Sequence, residues 1–76
     1  MDIQIPKLAE AQQDATVTRW LKKPGDKVRK GEPIVEVETE KVNAEVESPA
    51  DGVLGEILVA DGETAPVGQV IGRLLT

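Results

Sequence analysis

The sequence predicts an all-β fold: a flattened barrel or sandwich of two four-stranded antiparallel sheets related by an internal pseudo-twofold axis. Three observations lead there. The stretch "VEVETEKVNAEVES" at 35–48 alternates apolar and polar residues, the pattern of strands with one dry and one wet face. Residues 14–39 repeat at 51–76 with an offset of 37, and six of the 26 pairs are identical: Asp14/Asp51, Leu21/Leu58, Gly25/Gly62, Gly31/Gly68, Ile34/Ile71 and Thr39/Thr76. Helix has no foothold, because "LAEAQQDA" is the only run of helix formers and is too short to nucleate one. Two half-sheets with one apolar face each must then pack on each other.

Taken in order, the first half reads as strands at 2–6, 15–21, 27–29 and 33–39, and the second at 42–47, 52–58, 64–66 and 69–75. "IQIP" at 3–6 is an extended run stopped by proline, and "EVESP" at 45–49 is its counterpart. "KLAEAQQ" adds about six residues to the first half before Asp14 resumes the register. The turns "KKPGDK" (22–27) and "VADGET" (59–64) each hold a glycine for a positive-φ position. Between the halves, Glu40-Lys41 forms a two-residue hairpin loop whose facing residues sum to 81: Thr39/Val42, Glu38/Asn43, Val37/Ala44, Glu36/Glu45 and Val35/Val46. Val35, Val37, Ala44 and Val46 then share the dry face, and an odd shift in register would turn them outward. Neither loop residue accepts positive φ easily, which predicts a type I turn rather than the primed hairpin turn. The repeat equates this tip with the place where the termini meet, so Lys41 lies at the opposite pole from both.

The composition excludes most chemistry. The chain of 76 residues forms one domain, 1–76, with no Cys, His, Phe or Tyr and a single Trp. That removes disulfides, Cys/His zinc sites and nucleophile–histidine systems. A net charge of −5 with one aromatic residue gives neither the basic footprint nor the stacking platform of a nucleic-acid binder. No apolar run approaches the roughly 18 residues of a membrane span, and no signal peptide opens the chain. The expected setting is cytoplasmic, or the mitochondrial matrix in a eukaryote. Met1 beside the first strand reads as a chain start, and termini opposite Lys41 suit a tether. The domain is expected to be non-catalytic by itself.

A lysine in a surface turn ordinarily serves solubility. Here Glu36 faces Glu45, a like-charge pair that a hairpin disfavours, which suggests an acidic face kept for recognition. Trp20 aligns with Ile57 and reads as a core residue. Lys22, Lys23, Lys27, Arg29 and Lys30 form a basic cluster, either a solvated face or a docking site for an acidic partner. Ser48 and Pro49 close the strand after the hairpin.

Residues 25–54, "GDKVRKGEPIVEVETEKVNAEVESPADGVL", resemble the lipoyl domain of 2-oxo acid and acetoin dehydrogenase complexes, and the similarity runs from "IPKL" to "VGQVIGRLL". Its specific part is Glu-Thr-Glu-Lys-Val, where the family has Glu-Thr-Asp-Lys followed by Ala or Val. The resemblance implies that Lys41 bears (R)-lipoate in amide linkage, with Glu38, Thr39, Glu40, Val42 and Glu10 as recognition residues. It implies a carrier domain of a dihydrolipoamide acyltransferase that moves acyl groups and reducing equivalents. The implied partners are a lipoate ligase or lipoyl transferase, a 2-oxo acid or acetoin dehydrogenase, the acyltransferase core and dihydrolipoamide dehydrogenase. The family's Gly-Glu in the loop after the first strand stands here as Ala9-Glu10, which leaves the choice of partner open. The alternative is a biotin carrier domain with biotin on Lys41. Biotinyl domains flank the lysine with methionines, and Glu40 and Val42 occupy those places here. An unmodified adaptor of the same fold would need no lysine at the tip.

Overall fold

In the computed structural model, which describes residues 1–76, every regular element is a strand. In chain order these are β1 (Asp2–Gln4), β2 (Asp14–Trp20), β3 (Lys27–Val28), β4 (Pro33–Glu38), β5 (Asn43–Glu47), β6 (Gly52–Ile57), β7 (Thr64–Pro66) and β8 (Val70–Leu75). They form two four-stranded sheets with strand orders β1-β8-β6-β3 and β5-β4-β2-β7, and every pairing is antiparallel. Adding 37 to the numbers of β2, β3 and β4 gives β6, β7 and β8 to within one residue at each end, so one sheet order maps onto the other with β1 in the place of β5.

The symmetry reaches the irregularities. Val17↔Val37 and Leu54↔Leu74 are equivalent pairs, and both ladders slip just beyond them. The β1–β8 ladder slips between Ile3 and Gln4, and the β4–β5 ladder slips between Pro33 and Val35. Gly72 pairs with Ile3 while Val35 pairs with Val46, so β1 is offset from β5 by 46 − 3 = 43 residues. The insertion in the first half is therefore 43 − 37 = 6 residues, as the spacing predicts. Repeated bulges add twist at matching places, which lets two short sheets wrap one core. The glycine turns also match. Gly25 and Gly62 have φ of 96° and 85°, each one residue before a carboxylate that accepts a backbone N–H three residues back: Lys23 to Asp26 Oδ2 at 2.9 Å and Ala60 to Glu63 Oε1 at 2.8 Å.

The core is aliphatic. Thirteen apolar residues form it, with Ile5, Ile34, Leu54, Ile71 and Leu74 the largest buried side chains. Ser48 is the one buried polar side chain, and its Oγ donates to the Ala50 carbonyl at 2.7 Å. Trp20 departs from expectation. It is half-buried, packs against the cluster from its rim, and donates Nε1–H to the Val59 carbonyl at 2.8 Å. An indole carries a donor that an aliphatic core could not satisfy, so the rim is where its ring can be covered and its N–H paired. The ring lies over Gly72, where a Cβ would come within 2.8 Å of Trp20 Cη2.

Strand ends differ from the predicted ones by a residue or two, for local reasons. β1 stops at Gln4 rather than Pro6: Ile5 still donates to Gln69 O at 3.0 Å, but proline has no N–H to continue. β6 stops at Ile57 because Leu58 and Val59 both donate to the Ile71 carbonyl. The termini lie side by side, with Met1 and Leu74 exchanging both backbone bonds at 2.9 and 2.7 Å. No helix is long and apolar enough to cross a membrane.

Candidate functional site: the β4–β5 hairpin tip

The hairpin register is the one the alternation predicts: Glu38↔Asn43, Val37↔Ala44, Glu36↔Glu45 and Val35↔Val46. Val35 and Val37 are fully buried, while Glu38, Asn43 and Glu45 face solvent. Two buried valines on one strand hold the tip in place, because any slip would expose them. Thr39 N–H donates to Val42 O at 2.8 Å, and Val42 N–H donates to Thr39 Oγ1 at 3.1 Å. Thr39 and Val42 thus leave the regular ladder, and the strands end at Glu38 and Asn43. No residue other than glycine has positive φ, which excludes the primed hairpin turns.

Lys41 is exposed and enters no hydrogen bond or ion pair. The three ion pairs are Arg19–Glu36 at 2.8 Å, Lys22–Glu32 at 2.8 Å and Arg73–Glu56 at 3.7 Å. Its amine therefore faces solvent without a polar partner.

An open groove of about 450 Å³ runs beside the tip, between Thr39–Val42 and the inserted loop at residues 9–14. Gln12 shapes that loop. Its Oε1 accepts the Leu8 N–H and, at 3.2 Å, the Ala9 N–H, while its Nε2 donates to Pro6 O at 3.1 Å. A side chain that satisfies three backbone groups replaces the ladder bonds that six inserted residues cannot make. Val67 N–H then ties the loop's end to the core by donating to Gln13 O at 3.0 Å.

Of the residues singled out in the sequence, Thr39, Glu40, Lys41 and Val42 converge on this groove. Glu38 lies elsewhere, in a smaller depression of about 330 Å³ on the outer face of β2, β4 and β5, with Glu36 and Glu45. Glu10 is exposed on the loop but does not line the groove; its neighbours Ala9 and Ala11 do. The sequence reading missed Gln12, which no motif marks. It also missed Arg19, which sits opposite Glu36 and binds it, relieving the Glu36/Glu45 repulsion. The acidic face thus costs less than the like-charge pair alone suggests, and Glu38 and Glu45 are its unpaired members.

The basic cluster lies away from the tip. Within it, the Lys22–Glu32 hydrogen bond raises the Lys22 amine above its ordinary pKa. That bond and a second one from the Arg29 N–H hold the Glu32 carboxyl below the usual carboxylate range. The side chains of Lys27, Arg29 and Lys30 form no ion pair.

Comparison with known proteins agrees with this geometry. The family model described as "Biotin-requiring enzyme" (Biotin_lipoyl) matches residues 1–74. Among curated relatives, the dihydrolipoyllysine-residue succinyltransferase component of the 2-oxoglutarate dehydrogenase complex from Escherichia coli K12 is 49% identical over 97% of this chain. Its Bacillus subtilis counterpart is 45% identical over 96%. The chain spans 18% of the length of each of these two relatives. The lipoyl domain of the Azotobacter vinelandii 2-oxoglutarate dehydrogenase complex superposes with a TM-score of 0.82 at 43% identity, covering 100% of this chain and 96% of that one. The E. coli lipoyl domain superposes at 0.79 with 48% identity, covering 99% and 94%. These matches favour the lipoyl reading over the biotinyl one. Two equivalent sheets, each drawing strands from both halves of the chain, with an exposed lysine at the hairpin that joins the halves, and a match along the whole chain to lipoyl domains place this chain in the biotin/lipoyl attachment family, as a lipoyl domain.

Proposed function

We propose that Lys41 is the attachment site for lipoate and that the domain is a non-catalytic carrier within a 2-oxo acid dehydrogenase complex. The observation that carries this reading is the free, exposed Lys41 amine at the tip of a register-locked hairpin, beside an open groove. The site fits the group: nothing competes for the amine, and no side chain closes over it. Bound there, lipoamide supplies a dithiolane that accepts acyl groups and reducing equivalents, a chemistry that a chain without cysteine lacks. The protein's own part is positional. β4 and β5 fix the direction of the stem, and a cysteine-free surface leaves no thiol to exchange with the carried sulfurs.

The partners in this reading are a lipoate ligase or lipoyl transferase, the 2-oxo acid dehydrogenase, the acyltransferase core and dihydrolipoamide dehydrogenase. Relatives named for the 2-oxoglutarate complex support that dehydrogenase as the first to test. The experiment is incubation with lipoate ligase, ATP and lipoate, read by intact mass and peptide mapping. One lipoyl group on Lys41 is the expected result. Lipoate on Lys22, Lys23 or Lys27, or a wild-type chain that stays unmodified, would overturn the reading.

A further inference from the structure

We infer that Thr39 is a positioning residue for the modification of Lys41, acting through its side-chain hydroxyl, and this inference rests on the lipoyl-carrier reading above. In an ordinary two-residue hairpin the flanking residues exchange both backbone bonds, so the turn is closed whatever the side chains are. The Lys41 hairpin departs from that. Thr39 N–H reaches Val42 O at 2.8 Å, but the return bond, from Val42 N–H, goes to Thr39 Oγ1 at 3.1 Å and not to the Thr39 carbonyl. The backbone bond is thus replaced by one to a side chain, and the chain at 39–42 is no longer a regular ladder. One hydroxyl closes the C-terminal side of the turn.

This places Thr39 between fold and function. The valine pairs fix the register below the tip, and Thr39 fixes the conformation of Glu40-Lys41 above it. Lys41 has no hydrogen bond or ion pair of its own, so the direction of its stem depends on the closure of this turn. The amide-forming step needs that direction. The Lys41 Nζ lone pair attacks the acyl carbon of a lipoyl adenylate, made by the ligase from lipoate and ATP. The C–N bond forms, the C–O bond to phosphate breaks with its electron pair leaving on AMP, and the amine loses a proton to solvent. An attack of this kind is sensitive to a misplacement of about 1 Å in the nucleophile. A turn that opens spends less time with the amine in a reactive position, which lowers kcat and leaves the encounter surface unchanged.

The test compares wild type with Thr39→Val, which keeps the branched shape and removes the acceptor, and with Thr39→Ser, which keeps the hydroxyl. The first readout is amide hydrogen exchange at Val42 on the unmodified proteins. It is independent of whether Lys41 carries anything, and peptide mapping of the wild type tests that separately. Exchange at Val42 is expected to quicken about tenfold in Thr39→Val and to stay near wild type in Thr39→Ser, the response of an amide that loses its only protein acceptor. The second readout is the kinetics of lipoylation by purified ligase. Thr39→Val is expected to lose about tenfold in kcat with KM within about twofold, and Thr39→Ser to recover it, because a group that only orients the nucleophile acts on the reactive step. A rise in KM at constant kcat would overturn the inference and make Thr39 a contact for the ligase. Unchanged Val42 exchange in Thr39→Val would overturn it too, since the hydroxyl would not be closing the turn. Near-wild-type exchange at Val35 and Val37 in both variants shows that the hairpin below the tip has folded; its loss in Thr39→Val would assign the hydroxyl to the fold and overturn the positioning role.

Discussion

Exchanging Glu40 and Lys41, by Glu40→Lys with Lys41→Glu, moves the amine one residue along the loop at constant composition and charge. Neither side chain makes a hydrogen bond or ion pair, so no polar contact is lost. The pairs that fix the register, Val35↔Val46 and Val37↔Ala44, lie below the loop and are untouched. Stability should therefore change by no more than ~0.5 kcal/mol, as for surface substitutions in general. The displacement is much larger on the scale of chemistry. Adjacent Cα atoms are about 3.8 Å apart, and successive side chains in a tight loop diverge as well. A reaction that needs its partners within roughly 3–3.5 Å and suffers from ~1 Å of misplacement should slow by at least about tenfold. Side-by-side incubation of both proteins with ligase, ATP and lipoate, followed by intact mass, measures this, with Trp20 fluorescence confirming the fold. Modification of the exchanged protein at the parental rate would mean that any accessible lysine near acidic residues suffices, and the geometric argument would fail.

Lys41→Ala should abolish lipoylation and leave the fold intact; a melting temperature lower by more than ~8 °C, about 1–2 kcal/mol for this size, would show the residue to be structural. Gly72→Ala places a methyl group 2.8 Å from Trp20 Cη2 in a buried site. It should cost ~1–3 kcal/mol and shift the Trp20 emission, and an unchanged melting curve would mean that the indole yields freely. Because Glu32 is held below its ordinary value of 4.5, its contribution is complete above that pH and is lost as pH falls through the lowered pKa. Lys22 is raised above 10.5, so its contribution is complete below that pH and is lost as pH rises through the raised value. Denaturant midpoints of wild type and Glu32→Gln should accordingly differ at neutral pH and converge at both extremes; a gap constant with pH would refute the pairing. Glu40→Met with Val42→Met should move the tip toward biotinylation, which incubation with an active biotin ligase and streptavidin blotting would detect or exclude.

The global plan was legible because a half-chain repeat and a period of two are both written in residue identity. The 37-residue offset carries the glycines that need positive φ, and the Val/Glu alternation carries the hairpin register down to individual pairs. The place of Lys41 at the hairpin tip was legible because the register leaves only two residues for the loop. What escaped lies in side-chain choices that have no period. Gln12 satisfies its own loop, Arg19 reaches across a bulge to Glu36, and the Thr39 hydroxyl takes a bond that the backbone ordinarily makes. Trp20 was misplaced for a related reason: its alignment with Ile57 reports volume, while the need to pair its N–H moved it to the rim.

The side-by-side termini make the chain a ring with one break. Met1 pairs with Leu74 as Ala44 pairs with Val37, and Thr76 stands where Thr39 stands. The intact hairpin bridges Thr39 to Ala44 with four residues, Glu40, Lys41, Val42 and Asn43, so a four-residue bridge from Thr76 to Met1 would close the ring with the same geometry. New ends could then open in an exposed glycine turn such as that at Gly31, where no side chain is packed. A lysine in the second position of that bridge would give a circularly permuted domain with a hairpin lysine at each end. Of the two symmetry-related ends of the fold, the one at Glu40-Lys41 is closed by a hairpin and the other by the pairing of Met1 with Leu74.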